Sequence, residues 1–581
     1  MHSPSRRILL LFFCLAFIAV ICRFASRSAA AQSAQLPKSA VATQGTAQLQ
    51  PASVTTPKSL NPDPRPLLAA PGTELYTAKR GEAIPTIARH YLGKTSYLTS
   101  SQLAAAIRTA NHKSDTSNIL KANEIIVIPG ILPAPISEKS LPVPKDFEVR
   151  AVYLTGVMAA SDKGLRIIRE WRSVGGNAVV FDIKDSDGSV AIPFNHPLLG
   201  EHKIYMHDVP KFVHFLHSMN MHAIARIAIF RDERLVVAHP ELAIQSRRNH
   251  TAWRENGKLV WTDPSNPKIQ DYDIALAKHV AQLGVDEVQF DYVRFPAEGD
   301  QKDAQFVYQK DQPEVPEPAS CGDSAADHVA TGASPVPQSE ASNSTTKAVA
   351  TPTTNAPTLK AQHESHPGQP VAVGKNAKNS KKRQNVCQVP RGPQRSDVIA
   401  GFLKKAYAEI HPTGVLLSLD VFGVMAWQRP VDLSHTGQDI VQMARFCDIL
   451  SPMIYPSHFF GMDNIEHPGD EPAHFIGESM DRFMLITKGS GVVIRPWLQA
   501  FHWRTKTYSP EYIKVQVETA RLKGGIGFLF WNAANDYSKP YIAMPEMKAS
   551  NYKDGGTKDN PKYFRGDELP APTVSAAVSA R

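Results

Sequence analysis

Cysteine is scarce in this chain, with five cysteines among 581 residues. Cys14 and Cys22 lie in an apolar N-terminal stretch, and none of the others stands in a C-x-x-C pair. The absence of a C-x-x-C pair disfavours a zinc ribbon and a thioredoxin-type redox motif. Cys321 and Cys387 could pair in an oxidising compartment. Cys447 is expected in the core, because no candidate base lies in register with it.

Several catalytic signatures are also missing. The sequence has no H-E-x-x-H, no G-x-S-x-G elbow and no Rossmann glycine fingerprint. Zincin-type proteases, α/β-hydrolase esterases and dinucleotide-dependent enzymes are therefore disfavoured. His214 and His217 could bind a metal on a predicted helix, but a solvated helix face is the simpler interpretation. We expect no metal and no cofactor.

Long apolar runs occur only at the N-terminus, from Ile8 to Cys22. Two arginines precede this run, and small residues with an A-x-A pattern follow it at 28–31. The combination predicts a secretory signal peptide over residues 1–31, with an uncleaved anchor as the open alternative. We expect an exported protein that is periplasmic, envelope-associated or secreted, and that meets the membrane only through such an anchor.

The net charge of +9 is unevenly distributed. Residues 1–31 contribute four arginines and no acid, and much of the remaining excess lies in the run KNAKNSKKR, 375–383. A solvated linker cluster is the simpler interpretation, and attraction to anionic wall polymers or a membrane surface is the alternative. No motif that reads bases is recognisable, so we exclude nucleic acid as a partner.

Residues 32–73 are rich in Ala, Gln, Thr and Pro, which predicts a disordered linker. Residues 74–130 predict a compact α+β unit of strand, two amphipathic helices and strand. This unit resembles a LysM module in its Tyr76 strand, its Gly81-Glu82 turn, its Asn111 and its final Ile-Pro pair. The resemblance implies binding of N-acetylglucosamine-containing glycans such as peptidoglycan or chitin.

From Val149 onward, β-rich runs alternate with helical patterns. The eight predicted strands cover 151–156, 177–185, 222–230, 287–295, 414–423, 448–456, 492–501 and 525–533. Eight such units predict an α/β fold, a (β/α)8 TIM barrel over residues 148–551. Residues 297–397 have little apolar content and predict a disordered insertion after the fourth strand. Residues 552–581 predict a polar tail.

Acidic side chains recur near the ends of the predicted strands. Asp182 and Asp185 end the second strand, Asp291 lies in the fourth and Asp420 in the fifth. Barrel active sites form at the C-terminal strand ends, and side chains alternate in direction along a strand. These acids are therefore expected to share one pocket, together with Arg226 of the third strand.

Two interpretations of these acids are open. A buried acid is costly unless it is paired, so Asp291 could form a structural ion pair with Arg226 or Lys184. Glycosidic-bond cleavage instead needs one carboxylic acid to protonate the leaving oxygen and a second carboxylate as nucleophile or base. Neighbouring carboxyls shift each other's pKa so that one stays protonated. The recurrence of three acids near one strand end favours catalysis.

Tryptophan placement also indicates a sugar site. Of seven tryptophans, Trp171 alone lies in a predicted helix. The other six lie on or after predicted strands: Trp253, Trp261, Trp427, Trp497, Trp503 and Trp531. Flat amphipathic rings suit the apolar face of a pyranose, so we predict that these six form sugar subsites. For any single one of them, loop packing is the alternative.

An ordered series of segments resembles an uncharacterised bacterial family classed as glycosyl hydrolases. The segments, NAVVFDIKDSDG, ARIAIFRD, GVDEVQFDYVRFP, LDVFG, GQDI, DILSPMIYPSHF, IRPWLQAF and FLFWNAANDY, cover 148–540 apart from the insertion. The resemblance implies a TIM barrel with Asp291 as the catalytic carboxylate. It also implies a pocket lined by Asp182, Asp185, Asp420, Arg294, Tyr455, Gln499, Trp531 and Asn532.

The leading hypothesis is hydrolysis of a cell-wall or extracellular polysaccharide. Asp291 would act as nucleophile or base and Asp420 as acid, with Asp182 and Asp185 as further catalytic candidates. The predicted substrate-binding residues are Arg226, Arg294, Tyr455, Trp497, Gln499, Trp531 and Asn532. The LysM-like module would raise the local concentration of the glycan. The alternative is a non-catalytic glycan-binding or wall-assembly protein that uses the barrel as a scaffold.

Overall fold

The computed structural model describes residues 69–116, 118–310 and 392–549. Within these ranges no helix is long and apolar enough to cross a membrane. The predicted signal peptide, the basic run, the Cys321–Cys387 pair and the polar tail lie outside the described residues. So does all but the end of the predicted linker at 32–73.

The first described unit is a small α+β module. Strands Thr73–Thr77 and Ile125–Pro129 pair antiparallel, and helices Ile84–Tyr91 and Ser100–Ala110 lie between them in the chain. The side chain of Asn111 binds the edge of the second strand, donating to Val127 O at 2.9 Å and accepting from Val127 N at 2.8 Å. These elements follow the predicted order of strand, helix, helix and strand.

Eight parallel strands form the main body, and we number them β1 to β8. They are Val149–Leu154, Ala178–Lys184, His222–Ala228, Glu287–Asp291, Leu416–Phe422, Ile449–Met453, the two segments Val493–Ile494 and Trp497–Gln499, and Gly527–Trp531. Each pairs with the next, and β8 pairs with β1, so the sheet closes. β7 is interrupted at Pro496, which lacks the N–H that a strand ladder needs. The predicted TIM barrel is confirmed.

Helices surround the barrel. The helices that follow β1 to β8 are Asp162–Ser173, Val209–Ser218, Pro267–Ala281, Arg395–Ile410, the pair Pro430–Thr436 and Ile440–Met443, Pro472–Ile486, Pro510–Leu522 and Ser538–Ala549. Shorter helices Gly156–Ala159 and Glu233–Ala238 and the hairpin Arg254–Glu255/Leu259–Val260 lie in the loops. One apolar layer, which includes Cys447, fills the space between strands and helices. The expectation that Cys447 lies in the core is confirmed.

The barrel interior is closed at its N-terminal end by a buried polar group. The Glu287 carboxylate lies 2.8 Å from Arg495 Nη1 and 3.1 Å from His222 Nε2. Burial alone would raise the pKa of Glu287, but Arg495 and His222 lower it to about 2. Small apolar side chains such as Ala151 and Val180 pack above this group. The opposite end of the barrel is therefore the one that can admit a ligand.

The predicted insertion begins too early at residue 297. Strand Ala304–Gln305 pairs with Gln245–Ser246, and Phe306 is buried. The Asp303 carboxylate accepts hydrogen bonds from Ser246 Oγ and from Arg248 N. Residues 297–310 are therefore part of the barrel's C-terminal face. A composition averaged over the whole segment hid the few apolar residues that anchor its beginning.

Candidate active site

Four ionisable side chains meet inside the C-terminal end of the barrel. Asp182, Arg226, Asp291 and Asp420 occupy inward-facing positions near the ends of β2, β3, β4 and β5. In the sheet register, Asp182 lies beside Arg226 and Asp291 lies beside Ala228. Because side chains alternate along each strand, these positions point to the same axis. The predicted clustering of the acids is observed.

Arg226 lies at the centre of this group. Its Nη1 is 2.5 Å from Asp182 Oδ1, and its Nη2 is 2.5 Å from Asp291 Oδ2. Its Nε is 3.2 Å from the same Asp291 oxygen and 4.0 Å from Asp420 Oδ2. One buried guanidinium thus holds three carboxyl groups together. Arg226 was predicted to bind substrate, but these contacts make it a residue that positions the acids.

Lys184 is not a partner of Asp291. The register between β2 and β3 shifts between Asp182 and Lys184, so the ladder is irregular there. Lys184 Nζ lies 2.9 Å from Asp232 and 3.0 Å from Asp273, with Asp273 on the helix Pro267–Ala281. The irregularity directs Lys184 out of the barrel interior. Of the two ion pairs considered for Asp291, the one with Arg226 is present.

The environment of Asp420 favours its protonated form. Its side chain is buried, and burial raises its pKa well above the ordinary value. The negative charge of Asp291 raises that pKa further, while Arg226 and a hydrogen bond from Trp497 lower it. Trp497 Nε1 donates to Asp420 Oδ1 at 2.6 Å. Asp420 therefore carries a proton at a pH where an ordinary aspartate is charged.

Asp182 and Asp185 differ in their surroundings. Burial raises the pKa of Asp182 to about 6, against the opposing effect of Arg226. The Tyr153 hydroxyl donates to Asp182 Oδ2 at 2.5 Å. Asp185 is half-buried and accepts a hydrogen bond from Ser186 N in the turn that follows β2. Asp182 belongs to the central group, whereas Asp185 lies beside it.

Aromatic rings form one wall of the same end. Trp531 lies with its ring centroid 5.9 Å from Tyr455, 5.4 Å from Phe501 and 6.4 Å from Tyr153. Burial raises the pKa of Tyr455 well above its ordinary value, and the neighbouring Asp420 and Asp291 raise it further. Among the described residues no group bonds to the Tyr455 hydroxyl. That hydroxyl can donate to a ligand next to the acids.

Two predicted ligand-binding amides have structural roles instead. Gln499 Oε1 accepts from Ser457 Oγ at 2.7 Å, and its Nε2 donates to Phe501 O at 3.0 Å. Asn532 Nδ2 donates to a backbone carbonyl at 2.6 Å, and its Oδ1 accepts from Ala534 N at 2.8 Å. Gln499 holds the loops that follow β6 and β7, and Asn532 holds those that follow β7 and β8. The prediction that they bind substrate is corrected accordingly.

The six tryptophans do not share one role. Trp253 and Trp261 are buried, and their indole nitrogens donate to a backbone carbonyl and to a buried glutamate. The prediction of a sugar subsite is wrong for these two and for Trp497, which is 2% exposed, because their rings are covered by protein. Trp427 and Trp503 are half-buried in the loops after β5 and β7. Their role as subsites stays a prediction.

Tyr153 and Tyr292 are site residues that the sequence prediction missed. Tyr153 could have been found, because it shares the inward parity of Ala151 on β1. Tyr292 has φ +55°, a left-handed conformation that is strained for a bulky residue. Its N–H donates to Asp291 Oδ1 at 2.6 Å. Such backbone strain is often found at functional sites, but no sequence pattern predicts it.

The histidine pair is not a solvated helix face. His214 is exposed, but His217 is buried and lies 3.0 Å from Asp286 and 3.2 Å from Glu138. The solvated interpretation is therefore wrong for His217. Within the described ranges, no group of three or more His, Cys, Asp or Glu side chains has the geometry to hold a metal ion.

Comparison with known proteins gives one long match. A family model described as "Putative glycosyl hydrolase domain" matches residues 151–537. No curated protein matches the chain. Among solved structures, a hypothetical protein from Ruminiclostridium thermocellum ATCC 27405 is similar at 38% identity, over 27% of this chain and 80% of that one, with TM-score 0.25.

Two further solved structures are similar at low identity. The PgaB (BpsB) glycoside hydrolase domain from Bordetella bronchiseptica has 11% identity over 68% of this chain and 99% of that chain, with TM-score 0.43. The spore cortex-lytic enzyme SleL from Bacillus megaterium QM B1551 has 9% identity over 81% of this chain and 85% of that chain, with TM-score 0.34.

Proposed function

The chain belongs to the glycosyl hydrolase family whose model spans residues 151–537, and on that premise we propose that Asp291 and Asp420 cleave a glycosidic bond. One observation carries the proposal. Asp291 is ion-paired with Arg226, whereas Asp420 is 1% exposed and its pKa is raised well above the ordinary value. A charged carboxylate beside a neutral carboxylic acid is the pair that glycoside hydrolysis requires.

The residues divide the reaction between them. Asp291, which is ion-paired with Arg226, acts on the sugar as nucleophile or as base for water. Asp420 gives its proton to the leaving oxygen. The Tyr455 hydroxyl donates a hydrogen bond to charge that develops in the transition state, and Trp531 offers its ring to the sugar. Arg226 keeps the acids at fixed positions through the cycle.

The substrate is a polysaccharide of the cell wall or the extracellular space. The apolar N-terminal run and the LysM-like module support this choice, because the first indicates export and the second implies affinity for N-acetylglucosamine-containing glycans. The module contacts the barrel where Thr99 Oγ1 donates to Asp162 at 2.5 Å and Lys211 Nζ donates to Leu92 O at 2.9 Å. A bound glycan would be held close to the barrel.

A non-catalytic scaffold is the second candidate. It is favoured by the ion pair between Asp291 and Arg226, which would also stabilise a barrel without activity. The test is to incubate the purified full chain with peptidoglycan, chitin, α-glucans and β-glucans and to measure new reducing ends. We expect release from at least one polymer. Binding to a polymer without release from any of them would favour the scaffold.

A further inference from the structure

Two arginines near Asp291 have no carboxylate partner within the part of the chain that the structure describes. Arg231 follows β3 and Arg294 follows β4, and neither has an acidic oxygen within 4.0 Å among the residues that the structure describes. Arg294 is nevertheless only 8% exposed. A buried cation normally has an anionic partner, because its transfer from water is costly.

Aromatic rings fix the orientation of both guanidinium groups. The Arg294 guanidinium carbon lies 4.3 Å from the ring centroid of Phe422 and 4.6 Å from that of Trp261. The Arg231 guanidinium carbon lies 5.2 Å from the Tyr292 centroid, and its Nη1 donates to the Tyr292 hydroxyl at 3.0 Å. Stacked arginines are held in place without losing their in-plane donors.

Most of the Arg294 donors have no protein acceptor. Among the described residues its one hydrogen bond runs from Nη1 to Phe295 O at 3.0 Å. Burial lowers the pKa of Arg294, and Arg231 lowers it further, although Glu255 and Asp291 raise it. Both Glu255 oxygens already accept other hydrogen bonds, from Trp261 and from a backbone N–H.

The two like charges lie near one ring, that of Tyr292. The Tyr292 centroid is 5.7 Å from the Arg294 guanidinium carbon as well as 5.2 Å from that of Arg231. Tyr292 is the strained residue that follows Asp291, and the charge of Asp291 also acts on Arg294. An anion bound between them would relieve their repulsion and use their vacant donors.

We propose that Arg231 and Arg294 bind an anionic group, a carboxylate, sulfate or phosphate, on the sugar next to the bond that is cleaved. The substrate is then an acidic glycan. This inference rests on the proposed function for the position of the bond. The guanidinium fork binds each of these planar or tetrahedral oxyanions through paired hydrogen bonds.

The test compares sugars that differ in one substituent. Binding of glucose, glucuronate, glucose 6-sulfate and glucose 6-phosphate to the full chain is measured by calorimetry. We expect at least one charged sugar to bind about tenfold more tightly than glucose, and the tightest identifies the substituent. Arg294→Gln and, separately, the more exposed Arg231→Gln should each reduce this preference to about twofold or less.

Arg169→Gln is the matched control. Arg169 also stacks on an aromatic ring, that of Phe215 at 5.2 Å, but it lies on the outer helix Asp162–Ser173. The Arg169→Gln variant should leave the preference for the charged sugar unchanged. Equal affinity for all four sugars, or a preference that survives both site variants, would overturn the proposal. Hydrolysis of a neutral glycan without any anion preference would contradict this inference alone, whereas retained preference without hydrolysis would contradict the catalytic proposal alone.

Discussion

The charge of Asp291 is one reason that Asp420 holds its proton. Replacing Asp291 by Asn removes this negative charge, so we expect the pKa of Asp420 to fall toward its ordinary value. Infrared difference spectroscopy of the carboxylic-acid band during a pH titration would measure the change. Asp187→Asn, at an exposed acid after β2, is the control and should leave the band unchanged. An unchanged Asp420 titration in Asp291→Asn would contradict the coupling.

Trp497 shifts the pKa of Asp420 in the direction opposite to the effect of Asp291. Its hydrogen bond stabilises the charged form of Asp420, so Trp497→Phe should raise the pKa of Asp420. Activity needs protonated Asp420. Activity is therefore present below the pKa of Asp420 and is lost as the pH rises through that pKa. We expect the alkaline limb of the kcat profile to move to higher pH in Trp497→Phe, but not in Trp427→Phe. A shift to lower pH would be inconsistent with the proposed acid.

For individual residues, the sequence predicted their positions in the fold better than their functional roles. Strand parity was sufficient to bring Asp182, Asp291 and Asp420 together, because alternation is a property of the backbone. It could not show that Gln499 and Asn532 are occupied by loop hydrogen bonds, since those partners lie on other segments. The backbone strain at Tyr292 could not be predicted from the sequence either.

Among the strands and helices, β2 contains the feature with the clearest effect on the free energy of unfolding. Its irregular end places Lys184 between Asp232 and Asp273, all three buried. Lys184→Met would leave two buried acids without their cation, so the free energy of unfolding should fall by about 3–5 kcal/mol. Urea denaturation would measure the loss. Lys278→Met removes an exposed pair with Glu409 and should change stability by less than about 1 kcal/mol. Equal effects of both variants would contradict this account.

The strands were predicted to within a few residues because apolar runs and helical patterns alternate along the chain. The register shift in β2 was not predictable, since Lys184 has the same parity as Asp182 in the sequence. The ordered start of the insertion was missed for a related reason. Ala304 and Phe306 are two apolar residues in a polar segment, and their burial depends on distant chain.

For the whole molecule, a separate prediction concerns the α+β module that precedes the barrel. Ile119 is 73% exposed in the module. If the module binds glycan through this surface, Ile119→Glu should reduce retention of the full chain on insoluble chitin or peptidoglycan several-fold. Val237→Glu, at a 74% exposed position of the barrel, is the control. Unchanged retention in Ile119→Glu would exclude this surface.

The barrel could be predicted from the sequence because eight repeated units leave few alternative folds. The substrate could not, because specificity depends on side chains from several loops that meet only in the folded chain. Arg231 and Arg294 illustrate this. They come from different strand ends, and both lie near the ring of Tyr292 in the folded chain.

The central claim is that Asp291 participates in bond cleavage. The most direct measurement is kcat of the full chain, of Asp291→Asn and of Asp187→Asn on whichever polymer releases reducing ends. We expect Asp291→Asn to lower kcat by about 10³-fold, with thermal stability measured in parallel, and Asp187→Asn to match the unaltered chain. Full activity in a folded Asp291→Asn variant would contradict the account.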